Sequence, residues 1–152
     1  MAKIPAWKLA WKEKFREKML PHHPRSTDAK VEKILKRISG IRSTMVTRSA
    51  KHDVACTITV DELREMIYLA YGTPCRYTSR VLLIDNMVVD HIHPISKGGA
   101  STIDNLQVIS KFANTMKGSL TEDEFRTLLD WLDDLPEGLR TDISIRLARG
   151  LR

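Results

Sequence analysis

A chain of 152 residues, 42% hydrophobic and 29% charged, fits one globular domain with or without an appended arm, and it is long enough to bury a core. It has no apolar run long enough to cross a bilayer and no signal-peptide h-region, so a soluble, cytoplasmic protein is expected; Cys56 and Cys75 are too few and too far apart for a metal knuckle, and a cytosolic disulfide is not expected. The net charge of +6 is unevenly spread: residues 1–52 carry 14 Lys/Arg against 4 Asp/Glu, a balance of +10, and residues 53–152 carry 11 against 15, a balance of −4. That asymmetry points to a polyanionic partner, nucleic acid first, with solubility alone as the bland alternative.

In chain order, residues 5–20 read as a helix opened by Pro5. Trp7, Trp11, Phe15 and Met19 recur every fourth residue among lysines and an arginine. The stripe either docks on the body of the protein, which the cost of exposing Trp favours, or lies on nucleic acid. Pro21-His22-His23-Pro24 breaks the helix, and the paired histidines read as an exposed turn rather than a metal site. Ser26, Thr27 and Asp28 offer N-caps to a second helix whose buried face is Val31, Ile34, Leu35 and Ile38. Ser39-Gly40 is expected to end it. A third helical segment, 41–51, adds Arg42, Arg48 and Lys51.

Val54 to Thr59 reads as a short strand. Thr59 and Glu62 form a capping box for a helix over 60–70, with Leu63, Ile67 and Tyr71 facing the core and Gly72-Thr73-Pro74 stopping it. Near the end of the chain, Thr121 and Glu124 cap another helix, with Phe125, Leu128, Leu129 and Leu132 inward and aspartates outward. Pro136-Glu137-Gly138 ends that helix. Thr141 is expected to cap a last short one carrying Arg146, Arg149 and Arg152.

The chemistry lies between Val88 and Gly118, VVDHIHPISKGGASTIDNLQVISKFANTMKG, in the order strand, loop, strand, helix. Asp90 is a hard oxygen ligand, and Asn114 offers an amide oxygen from the helix. Two protein oxygens completed by water and phosphate suit Mg²⁺ or Mn²⁺ rather than closed zinc coordination. His91, with an ordinary pKa near ~6.5, can accept a proton at neutral pH. Lys111, Asn114 and Lys117 share one side of the helix, and Phe112 and Met116 the other. Adjacent strand residues point to opposite faces, so Asp90 and His91 share a site only if the strand twists or ends there, as Pro94 allows.

The combination of Asp90-His91, Gly98-Gly99, Asn105-Leu106-Gln107 and Asn114-x-x-Lys117-Gly118, in that order and spacing, resembles the HNH endonuclease family. The resemblance implies an α+β fold with a ββα-metal core, a basic helical N-terminal region and C-terminal helices. It implies a metal-dependent endonuclease acting on double-stranded DNA. Asp90 and Asn114 would hold the metal, His91 would be the general base, and Asn105 would pin the loop. Lys97, Lys111 and Lys117 would lie near phosphate, with His93 either assisting there or sitting exposed at the strand end. Arg42, Arg48 and Lys51 would add to DNA binding.

The implied organisation is a DNA-binding region over 1–52, a nuclease domain over 53–135 and a helical tail over 136–152. Small size and this layout are similar to free-standing phage or mobile-element HNH enzymes, homing endonucleases included, working in the cytoplasm of a bacterium or infected host. A homodimer is compatible with double-strand cleavage. A non-catalytic DNA-binding module with the same fold is the alternative. One departure from the family is clear. Where many members hold a structural zinc with two Cys-x-x-Cys pairs, this chain keeps Cys75 but has Thr78, Ser110 and Ala113 at the other positions. No structural zinc is therefore expected.

Overall fold

The computed structural model describes residues 4–150, so Arg152 lies outside the described residues. The fold is α+β. Helices α1 (Ala6–Met19), α2 (Thr27–Lys51) and α3 (Val60–Ala70) precede strands β1 (Met87–His91) and β2 (Leu106–Ser110). Helices α4 (Lys111–Lys117), α5 (Glu122–Asp133) and α6 (Glu137–Ala148) follow. The strands form a two-stranded antiparallel sheet in which Asp90 pairs with Gln107 and His91 with Leu106. No helix among the described residues is long and apolar enough to cross a membrane.

One apolar core joins Phe15 and Met19 of α1, Ile34 and Ile38 of α2, Leu63 and Ile67 of α3, Ile109 of β2 and Ala113 of α4. A smaller cluster under α5 and α6 gathers Met116, Phe125 and Leu132 with Tyr77 and Phe112. Helix α4 thus turns Ala113 into one core and Met116 into the other. Trp11, Phe15 and Tyr68 pack ring against ring, so the aromatic stripe docks on the body. Trp7 stays half exposed, with the Arg64 guanidinium 4.1 Å above its ring.

Three local expectations need correction. Ser39-Gly40 does not end a helix: α2 runs unbroken from Thr27 to Lys51. Its apolar spacing continues through Ile38, Ile41 and Met45, and that burial outweighs the roughly 1 kcal/mol a mid-helix glycine costs. Residues 54–59 form no strand. The ladder contact there is a single bridge from Cys56 to Ser101, because its backbone partner is the 101 loop and not a strand: the Thr57 and Ile58 amides donate to the Ser101 carbonyl oxygen, and the Ser101 amide to that of Ala55. Thr141 lies inside α6 instead of capping it, since the helix begins after Pro136. The capping boxes of Thr59–Glu62 and Thr121–Glu124 are both present.

Much of the N-terminal charge is committed internally. Lys30 and Lys33 hold Asp85 at 2.5 and 3.1 Å. Arg37 donates to the Ile84 and Met87 carbonyl oxygens at 2.6 and 2.7 Å, fastening α2 to the start of β1. Lys12 pairs with Glu32, and Arg16 with Asp28.

Candidate active site

The site forms where β1 ends. Asp90 side-chain exposure is 12%, and its Oδ2 accepts from Gln107 Nε2 at 3.1 Å, on the facing strand, and forms an ion pair with Lys117 Nζ of α4 at 3.1 Å. Oδ1 has no partner among the described residues. Lys117, expected near phosphate, is instead enclosed in the protein; its ammonium also donates to the His91 carbonyl oxygen at 2.8 Å. An ammonium so placed has its charge balanced by Asp90 and its protons spent on fixed acceptors, as burial requires. Asn114 lies one helical turn earlier on the same side of α4, half-buried and with its side chain free of hydrogen bonds among the described residues.

His91 is only 6% exposed and looks to different neighbours. Its Nε2 meets Ser101 Oγ at 2.8 Å, and Ser101 Oγ meets Ser49 Oγ of α2 at 2.8 Å. Burial, then the nearby Arg48 charge, pushes the imidazole below its ordinary pKa of 6.5, so it is neutral at neutral pH. The two side chains therefore take different partners, Asp90 from the sheet and α4 and His91 from α2 and the 101 loop, and what they share is the end of β1, which stops at His91.

Asn105 ties the intervening loop. Its Oδ1 accepts from the His93 amide at 2.8 Å, and its Nδ2 donates to the His93 and Ala100 carbonyl oxygens at 3.1 and 2.8 Å. Gly99 fits beneath this clamp because a Cβ there would overlap the His93 carbonyl oxygen. His93 itself is exposed, its Nε2 3.0 Å from the Lys97 carbonyl oxygen. Lys97 pairs with Glu124 at 2.6 Å. Arg48, Lys51 and Lys111 are exposed and Arg42 half-buried, and none has an ion-pair partner among the described residues.

Residues 74–119 match the family model described as HNH endonuclease. This segment is an HNH endonuclease domain. No curated protein and no solved structure matches the chain. The HNH segment contains Asp90, His91, Asn105 and Asn114, whereas Ser49, Arg48 and α5 lie outside it.

Within the HNH segment, Cys75, Thr78, Ser110 and Ala113 stand together. The Ser110 amide donates to Cys75 Sγ at 3.4 Å, Thr78 Oγ1 lies 3.2 Å from Ser110 Oγ, and the Ala113 amide donates to Ser110 Oγ at 3.1 Å.

No group of three or more His, Cys, Asp or Glu side chains converges among the described residues. A cation at this site would therefore rest on Asp90 and Asn114, with its remaining positions open to water and substrate. The free Oδ1 and the unengaged Asn114 amide, on β1 and on the helix that Lys117 ties to Asp90, are both hard oxygen donors of the kind a hydrated divalent cation takes.

Sequence reasoning missed Ser49, Ser101 and Gln107. Gln107 carried a signal, since the strand-loop-strand reading puts it opposite Asp90. Nothing in the sequence joins Ser49 to Ser101.

Proposed function

We propose that the protein is a metal-dependent DNA endonuclease whose HNH segment uses β1, β2 and α4 as a ββα-metal core. Asp90 carries the proposal: it keeps one carboxylate oxygen unengaged and is paired with Lys117 of α4, the helix that carries the unengaged Asn114 amide one turn before that lysine, inside a segment that matches the HNH model. A bound Mg²⁺ or Mn²⁺ would supply charge neutralisation at the phosphate. Asp90 and Asn114 would hold the ion. His91 takes the proton of the attacking water at Nδ1, a role that needs its other proton on Nε2, which lies 2.8 Å from Ser101 Oγ; Ser101 Oγ in turn lies 2.8 Å from Ser49 Oγ. Asn105 keeps the 93–100 loop closed beside the strand end, which holds His93 and Lys97 in place.

The duplex would be held by the second half of α2. Arg48 and Lys51 flank Ser49, which touches the His91 pair, and Arg42 stands about 10 Å back along the helix. The basic region 1–52 then acts as the binding part and 53–135 as the nuclease, with 136–152 as a tail. The homing role rests on layout alone, a small nuclease segment beside basic helices.

The burial of His91 favours one second reading, a DNA-binding module without catalysis. Supercoiled plasmid with Mg²⁺ or Mn²⁺ separates the two, wild type against His91→Ala. Nicking that requires both cation and His91 supports the enzyme. DNA binding without cleavage under every cation supports the module. A linear product in the first turnovers would point to two copies acting together.

A further inference from the structure

Gln107 is 7% exposed and polar, and it is engaged at both ends. Its Nε2 donates to Asp90 Oδ2 at 3.1 Å. Its Oε1 accepts from Arg76 at 3.4 Å and lies 3.1 Å from the Tyr77 hydroxyl, whose single proton is shared between Gln107 and Glu122. Turning the amide over would set its oxygen against the Asp90 carboxylate and its NH₂ against the Arg76 guanidinium, so the surrounding charges allow one orientation. Tyr77 and Arg76 are held in turn by Glu122 at the start of α5, which Arg126 also pairs at 2.6 Å. Burial, then the Glu122 hydrogen bond, pushes the Tyr77 hydroxyl up to about 12, so it keeps its proton.

We infer that Gln107, set by Tyr77 and Arg76, is a positioning residue that joins Lys117 in occupying Asp90 Oδ2 and so reserves Oδ1 for a divalent cation. The inference rests on the proposed metal site and adds the means by which that site is aimed. It makes α5, outside the HNH segment, a support of the metal ligand. An Asp side chain with both oxygens free can rotate or bind both ways; one with an oxygen held by a fixed donor and a fixed cation presents the other oxygen in a single direction.

The test measures Mn²⁺ binding to the full chain by electron paramagnetic resonance, without DNA or turnover. Wild type is compared with Gln107→Leu, Tyr77→Phe and Asp90→Ala. Tyr77→Phe keeps the ring against Phe125, whose centroid is 5.0 Å away, and removes only the hydroxyl, so it remains informative if Gln107→Leu does not fold. Expected are about a tenfold loss of Mn²⁺ affinity in Gln107→Leu and a smaller loss in Tyr77→Phe, with nicking recovered in both at higher Mn²⁺. Unchanged or tighter binding in both folded variants, with binding lost in Asp90→Ala, overturns the role of Gln107 and leaves the metal site standing. Binding unchanged in Asp90→Ala, or absent from wild type, overturns the metal site and this inference with it.

Discussion

Lys117 Nζ lies 3.1 Å from Asp90 Oδ2 with its side chain fully enclosed, so the acidic group proposed as a metal ligand is also the counter-ion of a buried cation. The two roles predict opposite signs for one substitution. A carboxylate kept only for metal is a charge the fold tolerates, and Asp90→Asn would stabilise the metal-free protein. With Lys117 behind it, Asp90→Asn leaves a buried ammonium without its partner, and we expect a loss of about 3 kcal/mol. Urea unfolding in chelator measures it, and a gain in stability would refute the pairing.

Two glycines should respond in opposite ways. Gly99→Ala drives a methyl into the His93 carbonyl oxygen, which Asn105 holds in place, so about 3 kcal/mol should be lost. Gly40 is helical, exposed and has no neighbour within 4 Å of an added Cβ. Gly40→Ala should gain about 0.5–1 kcal/mol, because alanine is the better helix residue there. Thermal melts of the two variants decide it. A destabilised Gly40→Ala would mean that α2 bends or breaks at that point.

Acid should loosen the hold of α2 on the turn before β1. Hydrogen bonds from Lys30, then Lys33, hold the Asp85 carboxyl at about 2, below its ordinary 3.8. A carboxyl with a depressed folded pKa stabilises fully above its unfolded value and loses that contribution as pH falls through the folded one. Wild type should therefore exceed Asp85→Asn in unfolding free energy above pH ~4, by about 1 kcal/mol for so exposed a pair. The gap should close towards pH 2. A gap that stays constant across that range would show the charge to be irrelevant.

The Cys75 cluster should accept a metal if its thiolates are supplied. Thr78→Cys, Ser110→Cys and Ala113→Cys together put four sulfurs where hydrogen bonds now join these backbones. One Co²⁺ or Zn²⁺ per chain should bind, visible as thiolate charge-transfer absorption on Co²⁺ titration, and the melting temperature should rise on metal addition. Failure to bind would show that the backbones stand too far apart for tetrahedral sulfur.

Local rules made several elements legible. The capping boxes at Thr59 and Thr121 are readable because a cap is made within three residues, and the pattern of Asp90, Asn105 and Asn114 because motif spacing is a property of the chain. The same rules misled at Gly40, where a stop signal met continuous burial, and at 54–59, where a strand-like run found no partner strand.

The order strand, loop, strand, helix, and the identity of the oxygen and nitrogen donors, follow from the sequence by itself, since both are set by near neighbours along the chain. Which face each donor took, and what stood behind it, only the tertiary structure decided. Lys117 reads as a surface cation on a helical wheel and is buried because α4 packs across β1. His91 reaches Ser49, through Ser101, only because α2 passes over the 101 loop, and the Tyr77 beside Gln107 is held by Glu122 and Phe125 only because α5 closes the far side. Burial and partner choice are set by contacts between segments remote in sequence, and those contacts exist only once the chain has folded.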